Sequence, residues 1–182
     1  MADHTNPVKV MEHCNISPPP GSVGNKSLPL TFFDIFWLPP YPLVKPELCY
    51  VDGDSVSLTL AESDSDLFHY LSGNQARDVN QFHFLVPNLI QSSIVDHLNF
   101  SDQLLALQVT LFPYSGICMG VTASHVVLDG RTLVHFMKSW ASISRSSSSS
   151  SGVAASLSPD SLPFYDRNVI NDQKVLKMIY LN

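Results

Sequence analysis

The sequence is poor in charged residues and contains no basic cluster. Asp, Glu, Lys and Arg together make up 14% of the 182 residues, whereas a typical globular domain holds about 25%. Ten basic and sixteen acidic side chains give a net charge of −6. Because nucleic acids and anionic membranes bind patches of Lys and Arg, we expect neither of them to be a partner.

Cysteines are also scarce, and long apolar runs are missing. Cys14, Cys49 and Cys118 are three widely spaced thiols, which argues against a disulfide framework and lacks the ligand spacing of a zinc site. No apolar run approaches the ~20 residues of a membrane-spanning helix. Residues 1–7 lack the apolar core of a signal peptide. We therefore expect a soluble cytoplasmic protein without a bound metal.

Hydrophobic residues, at 45% of the chain, are abundant enough for a folded core. Residues 8–11 predict a short strand, and the dense apolar and aromatic block at 28–38 is typical of buried core. Residues 39–46 contain four prolines, which exclude a central strand or a helix interior there. The first part of the chain therefore predicts short elements separated by breaks.

A turn signal and an alternating pattern follow in the middle of the chain. The Asp-Gly pair at 52–53 is typical of a β-hairpin turn. Apolar and hydroxyl residues alternate at 56–60, which predicts a half-buried strand. We expect a short helix within 64–71 and a loop-rich segment at 74–99.

The strongest sheet pattern lies further along the chain. Residues 104–112 and 117–127 predict two strands joined by a turn at 113–116. Apolar residues at 133–141 then recur at helical spacing. Asp129, just before this helix, is a favoured N-cap. The predicted order is strand, turn, strand, tight turn and helix.

His125 and Asp129 form an H-x-x-x-D pattern at this junction. Imidazole suits general-base chemistry near neutral pH, and strand ends and the loops after them often carry reactive groups. Two alternatives stay open at this point. His125 can be a structural histidine of the core or the surface, and Asp129 can serve as a helix cap without any chemical role.

Two other catalytic arrangements are disfavoured. Neighbouring residues of a strand point to opposite faces, so Ser124 and His125 cannot pair as nucleophile and base if both lie in the strand. Cys118 lies in a G-x-C-x-G sequence that imitates a nucleophile elbow, but an elbow leads from a strand into a helix. Because a strand follows here, we expect Cys118 to be a small buried hydrophobic residue.

Several motifs follow one another in collinear order over nearly the whole chain. They are VKV (8–10), PPPGSV (18–23), LPLTFFDIFWL (28–38), YVDGDSV (50–56), AESD (61–64), LLALQVTLF (104–112), GICMGVTASHVVLDG (116–130), FMKSWA (136–141) and LPFYDR (162–167). In this combination the sequence resembles the BAHD family of plant coenzyme-A-dependent acyltransferases. The likeness is greatest to flavonoid, anthocyanin and phenolic glucoside malonyltransferases.

The resemblance implies both a fold and a mechanism. The expected fold is α/β, an incomplete N-terminal lobe of a chloramphenicol-acetyltransferase-like architecture with a mixed sheet and flanking helices. His125 is the expected general base on a sugar hydroxyl of a phenolic glucoside, and Asp129 supports the active-site turn without chemistry. Acyl-CoA, with malonyl-CoA as the expected donor, is a co-substrate. No bound cofactor is implied, and the family likeness suggests a monomer.

The chain departs from the family pattern in two places. The family's second half, with its D-F-G-W-G motif and the arginine partner of Asp129, is absent, and an internal deletion is expected near 38–46. We expect a partial acyltransferase lobe at 1–145, a serine-rich linker at 146–158 and the start of a further segment at 159–182. These losses favour exposure of four apolar side chains within the 28–38 block, Phe32, Phe33, Ile35 and Trp37. The alternative function is a catalytically inactive fragment or residual binding module of the family.

Overall fold

The computed structural model describes residues 7–38, 47–64, 66–90, 103–147, 158–172, 174 and 176–181. Its strands are β1 (Lys9–Ile16), β2 (Lys26–Pro29), β3 (Glu47–Tyr50), β4 (Val56–Glu62), β5 (Leu105–Phe112) and β6 (Gly116–Ala123). Its α-helices are α1 (Phe32–Ile35), α2 (Leu67–Ser72), α3 (Gly130–Ser147) and α4 (Leu176–Leu181). Short 3₁₀ helices lie at Val79–Leu85, Pro159–Ser161 and Arg167–Val169. No helix in these ranges is both long and apolar enough to cross a bilayer.

The chain forms two compact units, each assembled from two segments. Unit 1 comprises Met1–Asn25 and Tyr50–Ser124, and unit 2 comprises Lys26–Cys49 and His125–Asn182. The chain therefore leaves unit 2 after β3 and returns to it at His125.

Unit 1 is built on a mixed four-stranded sheet in the order β1-β4-β5-β6. β4 pairs antiparallel with β1 and parallel with β5, and β5 pairs antiparallel with β6. The most buried side chains of β4 are Thr59 and Ala61, which share one face of the strand, while Leu58 and Leu60 on the other face are only half-buried. The apolar core of this unit contains Val8, Ala61, Leu85 and Phe112.

The 3₁₀ helix at Val79–Leu85 and the residues after it are tied closely to this sheet. Gln108 Nε2 donates to the Phe84 carbonyl at 2.8 Å, and Thr122 Oγ1 donates to the carbonyl of Pro87. The approach is closest at Gly120, where a Cβ would lie 2.0 Å from the Leu85 carbonyl oxygen. A glycine is therefore required at this position of β6.

Unit 2 contains the two-stranded sheet of β2 and β3, together with α1, α3 and α4. Leu30, Ile35 and Val126 form its buried apolar cluster, with Leu38 and Leu48 packed against it. The helix α3 spans 18 residues, so it is the longest element in the described part of the chain. The mixed sheet and the flanking helices agree with the α/β class expected from the sequence.

Several predicted elements are confirmed, with shifted ends. The first strand extends to Ile16, the short helix α2 starts at Leu67, and the loop-rich segment contains a 3₁₀ helix. The strand–turn–strand–helix order after residue 104 is also confirmed. The helix α3 includes the first two serines of the serine run. The proline-rich residues 39–46 and residues 148–157 of the expected linker lie outside the described residues.

Two structural predictions are wrong. The Asp-Gly turn at 52–53 exists, with Gly53 at φ 101°, but it does not form a hairpin. β3, before the turn, pairs with β2, and β4, after it, pairs with β1 and β5, so the turn connects strands of two different sheets. The block at 28–38 is not uniformly core. Leu30 and Ile35 are buried, whereas Phe33 and Trp37 are 61% and 53% exposed. The incomplete lobe led us to expect that apolar side chains of this block are exposed. That expectation is correct for Phe33 and Trp37 and wrong for Ile35, which is buried.

Candidate active site around His125

His125 lies in a turn of unit 2 and not in a strand. β6 ends at Ala123, four residues before the predicted end, and residues 125–127 form the turn that leads into α3. The imidazole is exposed, while the next residue, Val126, is buried in the apolar cluster of unit 2. Neither Ser124 nor His125 is in the strand, so the argument from opposite strand faces does not apply to this pair. The buried Val126 anchors the turn, and His125 is left accessible for chemistry.

Asp129 is the N-terminal cap of α3. Its Oδ1 accepts a hydrogen bond from the Thr132 N–H at 2.7 Å, and its carbonyl accepts the Leu133 N–H at 2.9 Å. The Thr132 backbone and side chain lower the pKa of the Asp129 carboxyl, because their hydrogen bonds favour the charged form. Asp129 therefore shapes the turn that carries His125, which is the cap role predicted from the sequence.

Trp37 stacks against the imidazole of His125. The centroids of the two rings are 4.6 Å apart, and the ring planes are inclined by 21°. Phe36 packs edge-on against the same indole at 5.3 Å. The two rings that meet here come from the two chain segments of unit 2, since Trp37 follows α1 and His125 precedes α3.

Asp34 joins three groups at the start of α1. One oxygen, Oδ2, accepts the Thr31 N–H at 2.7 Å, which is the carboxylate half of a capping box, and it also accepts the Thr31 hydroxyl at 2.8 Å. The same oxygen accepts a hydrogen bond from Arg167 Nη1 at 3.0 Å. The side chains of this ion pair are largely shielded, with Arg167 24% and Asp34 15% exposed. Asp34 thus connects the start of α1 to the segment after α3.

A pocket of about 880 Å³ lies in unit 2 beside His125. His125, Asp129 and Thr132 line one part of it, so the structure brings both predicted site residues to the same pocket. Aromatic side chains line another part: Phe32, Phe33, Phe36, Trp37 and Phe164. Planar apolar walls with a few polar groups are typical of small-molecule sites.

The charged side chains of the pocket have partners within unit 2. Asp34 pairs with Arg167, Asp129 caps α3, and Asp166 Oδ1 accepts the Asn168 N–H at 2.9 Å. The imidazole of His125, by contrast, forms no hydrogen bond with any residue in the described part of the chain. It is therefore the pocket group best placed to accept a proton from a ligand hydroxyl.

Metal and thiol chemistry have no support in the described ranges. They contain no cluster of three or more His, Cys, Asp or Glu side chains that could hold a metal ion. Cys118 lies within β6 and packs against the core of unit 1, although it is only half-buried where the sequence predicted full burial, and this partial burial raises the pKa of its thiol. A raised pKa disfavours the thiolate that a nucleophilic cysteine needs.

Three site residues were not found from the sequence. All three lie in motifs that carry the resemblance: Asp34 and Trp37 in the 28–38 block, and Arg167 in LPFYDR. The apolar and aromatic character of the 28–38 block, however, predicted a buried core and no site. A signal for Asp34 was available, because T-x-x-D at 31–34 has the spacing of a capping box. No sequence spacing reveals that Trp37 meets His125, since this contact depends on the tertiary fold.

Comparison with known proteins gives the family. Residues 47–160, a range that includes His125 and Asp129, match the Transferase family. The chain belongs to this family. The resemblance to the BAHD acyltransferases is confirmed by this match together with the relatives described next, and the α/β fold class is that of the family's chloramphenicol-acetyltransferase-like fold.

Curated relatives are plant acyltransferases. Coumaroyl-CoA:anthocyanidin 3-O-glucoside-6''-O-coumaroyltransferase 1 of Arabidopsis thaliana is 34% identical over 222 residues, which cover 94% of this chain and 46% of the relative. Phenolic glucoside malonyltransferase 1 of Nicotiana tabacum is 33% identical over 221 residues, which cover 95% of this chain and 48% of the relative. Malonyl-coenzyme A:anthocyanin 3-O-glucoside-6''-O-malonyltransferase of Dahlia pinnata is 33% identical over 94% of this chain.

This chain is shorter than its relatives, both overall and within the aligned region. The chain spans about half the length of these curated relatives. An alignment of 222 residues is also longer than the whole 182-residue chain, so the relative contains segments within the aligned region that have no counterpart here.

Proposed function

We propose that this chain carries the general base of an acyl-CoA-dependent O-acyltransferase that acts on phenolic or anthocyanin glucosides, with malonyl-CoA as the donor. The observation that carries the proposal is the position of His125, which is exposed beside an aromatic-lined pocket and has no hydrogen bond within the described part of the chain. The relatives' printed activities supply the substrate class.

The proposed reaction is a single acyl transfer. His125 accepts the proton of a sugar hydroxyl while the hydroxyl oxygen attacks the thioester carbon of malonyl-CoA. The carbon–sulfur bond then breaks, and the coenzyme A thiolate leaves and takes a proton. The products are the malonyl ester and free coenzyme A. Asp129 holds the turn through its cap on α3, and positioned base catalysis of this kind contributes typically ~10²–10⁴-fold. No resident cofactor or metal is required.

A second candidate function is an inactive fragment or residual binding module. The observation that favours it is that the relatives are about twice as long and carry aligned segments that this chain lacks. Two-substrate transfer depends on holding both reactants in place, and positioning can supply ~7–11 kcal/mol of barrier reduction. The missing segments would have to provide part of that positioning, so we expect no detectable transfer by the chain alone.

The experiment compares the chain alone with a chimera in which the tobacco malonyltransferase supplies the segments without a counterpart. Malonyl-CoA and a phenolic glucoside are the substrates, and product is measured by mass spectrometry. We expect an active chimera whose turnover falls ~10²-fold or more in His125→Gln and is unchanged in the matched control His135→Gln, which alters a histidine on the exposed part of α3. A chimera that keeps full turnover in His125→Gln would contradict the general-base proposal. Turnover by the chain alone that is lost in His125→Gln would exclude the inactive-fragment alternative.

A further inference from the structure

The orientation of a general base has to be fixed by some contact, and in many hydrolases a carboxylate fixes it through the second ring nitrogen. Asp129 is the carboxylate nearest to His125 in sequence, but its Oδ1 is engaged with the Thr132 N–H of α3. In the described part of the chain no hydrogen bond holds the imidazole. The contact that remains is the face of Trp37, 4.6 Å from the imidazole centroid to centroid.

Trp37 is itself held in place by α1. Its backbone N–H donates to the Asp34 carbonyl at 3.1 Å, which fixes the main chain at Trp37, and Phe36 packs edge-on against the indole. Asp34 in turn is fixed by the Thr31 cap and by Arg167. A chain of short contacts therefore leads from the ion pair through α1 to the indole that faces His125.

The stack does not serve as ordinary core packing. Trp37 is 53% exposed and His125 is exposed as well, so the contact removes little apolar surface from water. The buried cluster of unit 2 is formed by other residues, Leu30, Ile35 and Val126. What the stack does is to occupy one face of the imidazole.

We propose that Trp37 is the positioning residue of His125, and that its indole face holds the imidazole in one orientation at the pocket. The inference rests on the proposed function because it takes His125 as the general base. The contact between the indole and the imidazole can nevertheless be tested without measuring turnover. Trp37 acts through His125 and forms no bond with the reacting atoms.

The test is nuclear magnetic resonance of the isotope-labelled chain, which reports on the ring contact without any substrate. Protons above an indole face are shifted upfield by its ring current. We expect one imidazole, identified by its loss in His125→Gln, to resonate upfield of the other histidines and to show nuclear Overhauser contacts to an indole. Trp37→Leu should abolish the shift, and Trp37→Phe should retain part of it. Trp140→Phe, which changes a tryptophan on α3, is the matched control and should leave the shift unchanged.

Two results would overturn the proposal. One is the absence of Overhauser contacts between His125 and an indole in the unaltered chain, which is informative even if Trp37→Leu fails to fold. The other is an upfield His125 signal that persists in Trp37→Leu while the resonances of the unit 1 core remain unchanged. Failure of acyl transfer in the chimera would leave both readouts intact, so the two proposals fail separately. In an active chimera, Trp37→Leu should lower kcat with little change in KM.

Discussion

Replacing Asp34 by Ala should destabilise unit 2, because a single carboxylate oxygen at this position accepts hydrogen bonds from three donors. The change removes the carboxylate half of the capping box at the start of α1, and loss of a capping interaction typically costs about 1 kcal/mol. It also removes the partner of Arg167, and ion pairs of this kind contribute up to about 1 kcal/mol. The two effects together give a loss of about 2 kcal/mol, or roughly 6 °C in Tm for a chain of this size.

The assay is thermal unfolding followed by circular dichroism, with Asp34→Asn and Arg167→Met as companion variants. Asparagine keeps an acceptor oxygen for the cap but loses the charge, so Asp34→Asn should cost about 1 kcal/mol, half of the alanine effect. The double variant Asp34→Ala with Arg167→Met completes a cycle, and it should show a coupling energy of about 0.5–1 kcal/mol. The reasoning is refuted if Asp34→Ala unfolds within about 0.3 kcal/mol of the unaltered chain, or if the coupling is zero.

Three further outcomes are expected from the same chain. Asp129→Ala should cost about 1 kcal/mol at pH 7 while Asp129→Asn costs little. Because the folded-state pKa of Asp129 is lowered, the stability advantage of the unaltered chain over Asp129→Ala is fully present above the ordinary carboxyl pKa and should shrink as the pH falls through the folded-state pKa; an advantage that stays undiminished in acid would contradict the charged cap. Gly120→Ala should cost about 3 kcal/mol in chemical denaturation, since a Cβ collides with the 3₁₀ helix, whereas Gly24→Ala, with open space around it, should be neutral; equal effects would refute the close approach. Exposed Cys49 should react with iodoacetamide faster than Cys118, whose pKa burial raises, and equal rates in peptide mass spectrometry would contradict this.

Local patterns in the sequence were sufficient for much of the site. The change from strand to helical periodicity placed the junction that carries His125, and the residue type and position of Asp129 predicted its cap. Both inferences concern neighbours along the chain, where hydrogen-bonding rules operate over a few residues. The strand end was misplaced by four residues because Val126 and Val127 favour strands in general but belong here to a turn whose Val126 is buried.

Features that depend on distant parts of the chain were missed. The Asp-Gly turn is present, but the strands on either side of it do not pair with each other. β3 pairs with β2, and β4 pairs with β1 and β5, so the pairing depends on strands that a local pattern cannot identify. In the same way, the hydrophobicity of the 28–38 block predicted burial for Trp37. In the structure this side chain is largely exposed and stacks on the imidazole of His125. Propensity indicates which residues can be buried, and tertiary packing decides which of them are.

The division of unit 2 into two chain segments has a consequence for how its site assembles. Asp34 and Arg167 are 133 residues apart in sequence, and closing a flexible loop of that length costs about 4 kcal/mol in chain entropy beyond a constant term. Much of the intervening chain belongs to unit 1, and an ordered sheet there leaves less of this freedom to be lost when the two segments of unit 2 meet. Variants that loosen the sheet of unit 1 should therefore weaken the contact between Trp37 and His125 as well. The candidate site of unit 2 depends in this sense on the order of the chain segment that connects its two halves.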